Sequence, residues 1–348
     1  MPRLSPPQLL IGVGAAAALL GGSLLLRPAL EASRAAGTEP ASAPPSQPDP
    51  AAADTLAVGP RLPRLPTDPA LPTHTDGRHY PLVPADPVEL AALLAAVEEA
   101  LRDAATPAET LPALGHQQQV IYRVLAHRTP LAAEVRRALP SGWLSIYDRH
   151  LLARRSFLAM HRSDRRPTSL PGWRILPPPP LEQLVRFYKQ AEQATGIDWE
   201  VLAAVNLVES GMGRIDGVSV ANAQGPMQFL PTTWAQAGVG KGNIRDPHDA
   251  IQAAARYLVR RGGLKDIRKG LWGYNNSDNY GRAVLAYASL IQEDPRALIG
   301  LYHWEIHFAA AGGDLWLPVG YAQSQPVAVA AHLRRQPASA PPPGSSGY

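Results

Sequence analysis

The stretch WEVLAAVNLVESGMGR, Trp199 to Arg214, decides the fold of this chain. Almost every residue from Val201 to Val208 is apolar, so a helix built on them has no side suited to water. Asp198 precedes the run as an N-cap, and Gly211 follows it as a residue able to end a helix. The sequence therefore predicts a buried helix at the centre of a helical domain.

Further amphipathic helices are predicted on both sides of this central one. They run from Leu181 to Gly196, from Asp246 to Gly262, and through NYGRAVLAYASLI after a start at Ser277 or Asp278. No alternating strand pattern of useful length occurs before GDLWLPVGY, residues 313–321. The predicted fold class is all-α, a predominantly helical domain with minimal β structure over residues 171–322.

A carboxylate in the last turn of the central helix is the main candidate for chemistry. Burial disfavours the charged form of Glu209, and so does the negative end of the helix dipole, so both raise its pKa. A carboxylic acid that stays protonated near neutral pH is what protonation of a glycosidic oxygen requires. The alternative is a glutamate that ends a helix and turns toward solvent.

Four motifs in order carry a family resemblance. They are ESGMGR from Glu209, SVANAQGPMQFLPTTW from Ser219, AAARYL from Ala253 and GYNNSDNY from Gly273. Together they resemble the motifs of lytic murein transglycosylases with a goose-lysozyme-like, SLT-type catalytic domain. The resemblance covers about residues 181–291, and the helical segment before it and the WLPVGY end resemble actinobacterial-type members. It implies a lysozyme-like fold.

The resemblance implies a role for each matching residue near the acid. Glu209 is similar to the family's single catalytic acid. Tyr274 and Asn275 resemble the pair that orients this acid and the sugar acetamido group, and Tyr280 is expected to form a wall of the substrate cleft. The alternative for Tyr257, Tyr274 and Tyr280 is a core aromatic ring with a satisfied hydroxyl.

The loop between the first and third motifs supplies the other predicted substrate-binding residues, which are Ser219, Met227, Gln228 and Phe229. Met227 and Gln228 resemble residues that line the glycan cleft, and Ser219 has the spacing of a serine that precedes the glycine-rich turn. The alternatives are packing for Met227 and Phe229, and a loop-bracing amide for Gln228.

The loop motifs depart from the family pattern at three positions. Pro226 stands where leucine is common, Asn222 where glycine is frequent, and Gly273 where alanine usually precedes the tyrosine. Proline fixes its own backbone angle and restricts Gly225, so a more rigid loop is expected. None of the three changes removes a reactive group.

The activity that the resemblance implies is cleavage of the β-1,4 bond between N-acetylmuramic acid (MurNAc) and N-acetylglucosamine (GlcNAc) in peptidoglycan. Glu209 would act first as acid and then as base on the C6 hydroxyl, which leaves a 1,6-anhydro-MurNAc end without water or a cofactor. One alternative is a hydrolytic muramidase on the same fold, in which an aspartate such as Asp216 activates water. Another is a catalytically silent peptidoglycan-binding protein. Asp278 is better explained as a helix cap.

The flanking segments predict export. Leu9 to Leu26 is an uncharged run between Arg3 and Arg27, and residues 1–27 are expected to be a retained signal-anchor that crosses the membrane once. A cleaved signal peptide, and so a secreted protein, is the alternative. Residues 28–86 and 323–348 are rich in alanine and proline and are expected to be a disordered linker and tail. The catalytic domain would then be extracytoplasmic, away from nucleic acid.

Residues 87–170 are predicted to form a helical basic region. From Ile121 to Arg174 there are eleven arginines against three acidic residues. This excess indicates either a solvated helix face or a surface attracted to peptidoglycan carboxylates, wall polymers or lipid headgroups.

The composition limits the remaining classes of function. A formal net charge of +4 suits an acidic polymer or an anionic membrane surface without requiring either. The absence of cysteine excludes disulfides and thiolate chemistry. The only close histidine pair with metal-ligand spacing is His303 and His307, and no cofactor or metal is expected.

Overall fold

The computed structural model describes residues 62–160 and 166–346, and within them the chain is mostly helical. The α-helices are α1 Pro87–Arg102, α2 Leu111–His127, α3 Thr129–Ala138, α4 Leu144–Met160, α5 Leu181–Thr195, α6 Trp199–Ser210, α7 Pro231–Trp234, α8 Pro247–Arg260, α9 Ile267–Asn275, α10 Asp278–Glu293, α11 Ala297–Tyr302 and α12 Val329–Arg335. The strands are β1 Ser169–Leu170, β2 Arg174–Ile175, β3 Ile215–Asp216, β4 Ile306–Ala310, β5 Gly313–Leu317 and β6 Val327–Ala328. They form antiparallel pairs β1–β6, β2–β3 and β4–β5.

The central helix α6 is buried as predicted. Its residues from Val201 to Ser210 are all buried, and α5, α8 and α10 pack around it. The Asp198 side chain makes no capping hydrogen bond; the Glu192 carboxylate instead accepts one from the Trp199 amide at 3.1 Å. Gly211 ends the helix in the left-handed conformation, with φ of 62°.

The first four helices form a second apolar core that packs on the first through the contact of α4 with α10. A buried carboxylate, Glu98, joins these helices. It accepts hydrogen bonds from the Tyr122 hydroxyl at 2.7 Å and the Gln118 amide at 2.9 Å, and it pairs with Arg102. Gln118 also accepts from the Trp304 indole at 2.9 Å, so the network ties the N-terminal helices to the chain beyond α11.

The arginines of the basic region are spread over several contacts. Arg123 is buried in an ion pair with Asp314 on β5, and Arg149 pairs with Glu293 on α10. Arg155 donates to backbone carbonyls at the end of α2. These arginines therefore fasten the N-terminal helices to neighbouring elements.

A β-hairpin, β4–β5, follows the last helix of the main core. Strand β5 lies within the predicted GDLWLPVGY stretch, whereas β4 was not predicted. Four of the five residues of β4 are buried, so the strand lacks the alternation that marks a half-exposed one. His303 follows α11 and His307 lies on β4, so the two do not share a helix face.

The predicted disorder of residues 28–86 and 323–348 is wrong for the parts that the structure describes. Tyr80 is 2 % exposed, and its hydroxyl donates to the Asp314 carbonyl at 2.9 Å. Helix α12 packs Val329 into a third apolar cluster with the hairpin. The Val83 amide donates to the Ser345 hydroxyl at 3.1 Å. A few apolar residues are enough to order these segments, because they pack against the apolar surface of the β4–β5 hairpin.

The predicted signal-anchor, residues 1–27, and residues 28–61 of the predicted linker lie outside the described residues. Within the described ranges, no helix has both the length and the apolar character needed to cross a membrane.

Candidate active site

Glu209 lies in the last turn of α6 with its carboxyl group buried. The residue is 1 % exposed, and its Oε1 accepts a hydrogen bond from the Tyr280 hydroxyl at 2.7 Å. Its Oε2 is buried without a hydrogen-bond partner among residues 62–160 and 166–346. Burial raises the pKa of Glu209 to about 8, and the hydrogen bond from Tyr280 opposes that rise. The carboxyl is therefore protonated at neutral pH, and the solvent-facing alternative is wrong.

Tyr280, and not Tyr274, contacts this carboxyl. The Tyr274 hydroxyl donates to the Met227 carbonyl at 2.8 Å, and its ring stacks on that of Tyr280 at a centroid distance of 6.1 Å. Tyr280 is fully buried, and its expected role as a wall of the substrate cleft stays a prediction. Ser277, rather than Asp278, caps α10 by accepting from the Tyr280 amide at 3.4 Å, which points the Tyr280 ring toward α6.

Asn275 is the last residue of α9 and is half-buried one position after Tyr274. Its orienting role in the acetamido contact therefore stays a prediction. The glycine before Tyr274 has a structural reason, because an added Cβ at Gly273 would lie 2.8 Å from the Cβ of Arg261. Alanine, the usual residue of the family, would collide with this side chain.

Ser219 braces the loop that follows β3. Its hydroxyl accepts hydrogen bonds from the amides of Ala221 at 3.2 Å and Ala223 at 3.0 Å, and the residue is 8 % exposed. Asn222 has a φ of 64°, a left-handed conformation that asparagine tolerates better than most residues. The departure from glycine at this position is thus accommodated by the backbone.

The loop is fastened to the residue after Glu209. The Ser210 hydroxyl donates to the Pro226 carbonyl and accepts from the Gly213 amide at 3.0 Å. Gly225 has a φ of 73°, and an added Cβ there would lie 2.0 Å from the Ile244 carbonyl oxygen. Only glycine fits this close approach. The role of Ser210 could not be predicted from sequence, since its partner is a carbonyl sixteen residues away.

The burial of Met227 and Phe229 matches the packing alternative, and a contact of either side chain with the substrate stays a prediction. Met227 is fully buried, and Phe229 is 3 % exposed. The Phe229 ring packs against the rings of Trp234, Tyr257 and Tyr274.

Gln228 has a φ of 49°, and its amide donates to the Gly225 carbonyl at 3.0 Å, so it braces the loop while staying half-buried. This bond matches the loop-bracing alternative. A contact of Gln228 with the sugar stays a prediction.

Asp216, the candidate base of a hydrolytic mechanism, lies on β3 between two cations. It pairs with Arg174 of β2 and accepts from Arg245 at 3.2 Å. Both of its carboxylate oxygens form ion pairs, so Asp216 links Arg174 of β2 to Arg245.

The cluster Asp246, His248 and Asp249 offers metal-ligand atoms within 4.8 Å of one another. Asp246 already accepts from the Asp249 amide at 2.9 Å as the N-cap of α8, and Asp249 accepts from the Asn243 amide at 2.9 Å. The cluster is therefore accounted for by helix capping and loop closure.

Comparison with known families gives one match. Residues 186–290 match the model of the family described as Transglycosylase SLT domain. These residues form an SLT domain. The match confirms the predicted resemblance to lytic transglycosylases with a lysozyme-like SLT domain, and the SLT domain runs from α5 to the last turns of α10, with Glu209, Tyr274 and Tyr280 inside it. No curated protein and no solved structure gave a significant match.

Proposed function

We propose that this protein is a lytic transglycosylase that cleaves the MurNAc–GlcNAc β-1,4 bond of peptidoglycan and leaves 1,6-anhydro-MurNAc ends. The SLT domain supports peptidoglycan as the substrate. The observation that carries the mechanism is the buried carboxyl of Glu209, whose pKa of about 8 keeps a transferable proton on it at neutral pH.

In the first step, the protonated Glu209 donates its proton to the oxygen that bridges the two sugars. The bond from this oxygen to C1 of MurNAc then breaks, and GlcNAc leaves with a free 4-hydroxyl. The carbonyl oxygen of the MurNAc 2-acetamido group supports the electron-poor C1 as the bond breaks.

In the second step, the Glu209 carboxylate removes the proton from the C6 hydroxyl of the same MurNAc. The C6 oxygen forms the new bond to C1, and Glu209 is again protonated. The Tyr280 hydroxyl, 2.7 Å from Oε1, donates to the anion that exists between the two steps. No water and no cofactor is consumed.

The one-carboxylate mechanism is supported by the state of Asp216. A hydrolytic enzyme needs a second carboxylate that can accept a proton from water. Asp216 pairs with both Arg174 and Arg245, so each of its two carboxylate oxygens already accepts a hydrogen bond from a guanidinium group.

Digestion of purified sacculi tests the proposal. We expect the parent to release muropeptides one water lighter than hydrolysis products, as measured by mass spectrometry. Glu209→Gln should lose activity by several orders of magnitude, because an amide cannot donate the proton. Glu182→Gln, at an exposed position on α5, is the matched control and should keep parental activity. Products that carry the added water, or an active Glu209→Gln variant, contradict the proposal.

We also propose that the protein works outside the cytoplasm on a membrane tether. The apolar run from Leu9 to Leu26 and the location of the substrate support this. Protein sequencing of the mature N-terminus, together with membrane fractionation, tests whether the run is kept.

A further inference from the structure

A groove of about 610 Å³ lies directly beyond the helix that carries Glu209. Its charged side is formed by Arg174, Asp216 and Arg245, and its apolar side by the prolines 177–179. Gly213 and Pro226 lie in its lining, and Ser210 hydrogen-bonds to both. Ser210, the residue after the proposed catalytic acid, therefore hydrogen-bonds to two residues that line the groove.

The groove has a narrow point next to the end of α6. An added Cβ at Gly213 would lie 3.5 Å from the Cβ of Pro226 and 3.7 Å from the Cδ of Pro179. The prolines have fixed φ angles and carry no backbone N–H, so they present a rigid apolar surface. Because these prolines need not change conformation when a ligand binds, their ordering costs little binding free energy.

The charged side carries an excess of positive charge. Two guanidinium groups share one carboxylate, so the three residues together carry a net charge of +1. The side chain of Arg174 is 64 % exposed, that of Arg245 is 42 % exposed, and that of Asp216 is 24 % exposed. The cations therefore lie at the groove surface, with their carboxylate partner deeper between them.

Hydrogen bonds position Arg174 and Arg245 but do not use all of their N–H donors. Arg174 donates to Asp216 through Nη2, and Arg245 donates to Asp216 through Nη1 and to Gln224 through Nη2 at 3.3 Å. A guanidinium group has five N–H donors, so each arginine keeps donors for a further acceptor. The backbone pairing of Arg174 with Asp216 in the β2–β3 ladder fixes one of the two cations.

We infer that this groove binds the carboxylate-bearing stem peptide of the glycan strand, with Arg174 and Arg245 as specificity-determining residues. The inference rests on the proposed function. Peptidoglycan carries short peptides on its muramic acid residues, with alanine methyl groups and free carboxylates in the same few residues. A rigid apolar surface beside a net positive one complements both features, and the loop that Ser210 fastens next to Glu209 contributes Gly225 and Pro226 to the groove.

Two substrates test the groove: intact peptidoglycan strands, and the same strands after an amidase has removed their peptides. We expect the double variant Arg174→Ala/Arg245→Ala to lower the ratio of kcat/KM on peptide-bearing strands to kcat/KM on naked strands by about tenfold or more, as expected for lost charge-assisted hydrogen bonds. Arg260→Ala is the matched control, because Arg260 is an exposed arginine of the SLT domain that does not line the groove and donates a hydrogen bond to the Ala237 carbonyl. Its ratio should equal that of the parent.

Because Arg174 lies on a short strand, the single variant Arg245→Ala, measured with the thermal midpoint of each protein, separates a binding loss from misfolding. An equal loss of kcat/KM on both strands, or no change in the ratio, overturns the inference.

Binding can be measured apart from catalysis. Calorimetry of the Glu209→Gln protein with a free stem tetrapeptide should show binding that is lost in the arginine variants and weakened when the peptide carboxylates are amidated. This readout survives a failure of the proposed reaction, because it requires no cleavage. Competition by inorganic phosphate together with equal binding of the amidated peptide would assign the groove to phosphate polymers and overturn the inference.

Discussion

Replacing Glu209 by glutamine should stabilise the fold, and the gain should depend on pH. The amide keeps the shape of the side chain and can still accept the hydrogen bond from Tyr280, but it has no proton to lose. In the parent, the folded state keeps the Glu209 proton up to about pH 8, whereas the unfolded chain releases it near the ordinary value of 4.5. Between these values the folded state binds more protons, so parental stability falls as pH rises.

The size of the effect follows from the two pKa values. A difference from 4.5 to about 8 corresponds to roughly 5 kcal/mol of free energy of unfolding at pH 9, since each pKa unit is about 1.4 kcal/mol. At pH 7 the same relation gives roughly 3 kcal/mol. For a protein of this size, about 1 kcal/mol shifts the thermal midpoint by about 2 °C. The midpoint of Glu209→Gln minus that of the parent should therefore increase by about 10 °C from pH 4 to pH 9.

Calorimetric unfolding of the parent, Glu209→Gln and the surface control Glu182→Gln across this pH range tests the reasoning. The midpoint difference between Glu209→Gln and the parent should be small at pH 4 and should grow steadily toward pH 8. The control should follow the parent throughout. A constant difference at every pH would refute the claim that burial holds this carboxyl in its protonated form.

Three further substitutions probe the site and its support. Tyr280→Phe removes the hydrogen bond that lowers the pKa of Glu209, so the alkaline limb of the kcat/KM profile should move to higher pH. An unchanged limb would show that Tyr280 does not influence the pKa of the catalytic acid. Gly225→Ala places a Cβ against the Ile244 carbonyl at positive φ and should cost about 1 kcal/mol or more together with most of the activity, whereas parental stability and turnover would show that the loop can shift. Asp314→Asn breaks the buried pair with Arg123 and should cost about 3 to 5 kcal/mol in denaturant unfolding at pH 7. Arg123 holds the pKa of Asp314 well below its ordinary value of 3.8, so the loss relative to the parent should shrink as pH falls below that value, and a loss that does not depend on pH would contradict this pairing.

The central helix and its acid could be predicted because their signals are local. An apolar run bounded by Gly211 fixes both the burial of α6 and the raised pKa of Glu209. The tyrosine that contacts the acid could not be chosen from sequence. That choice depends on the packing of α10 on α6 and on the start of α10 at Ser277, and a shift of one residue turns a helical side chain by about 100°.

The remaining differences come from contacts between distant segments. Strand β4 is nearly all buried, so it lacks the periodicity that identifies a strand. The segment around Tyr80 and the helix α12 resemble linkers in composition, but each contributes a few apolar side chains to a surface made by the hairpin. The groove pairs Arg174 and Arg245, seventy-one positions apart, through the single carboxylate of Asp216.

The hydrogen bond between the Val83 amide and the Ser345 hydroxyl joins two residues that are 262 positions apart in the chain. A truncation that removes Ser345 should therefore also loosen the segment before α1, whose Tyr80 packs on the hairpin. Limited proteolysis of such a truncated protein should show faster cleavage near Val83 than in the parent.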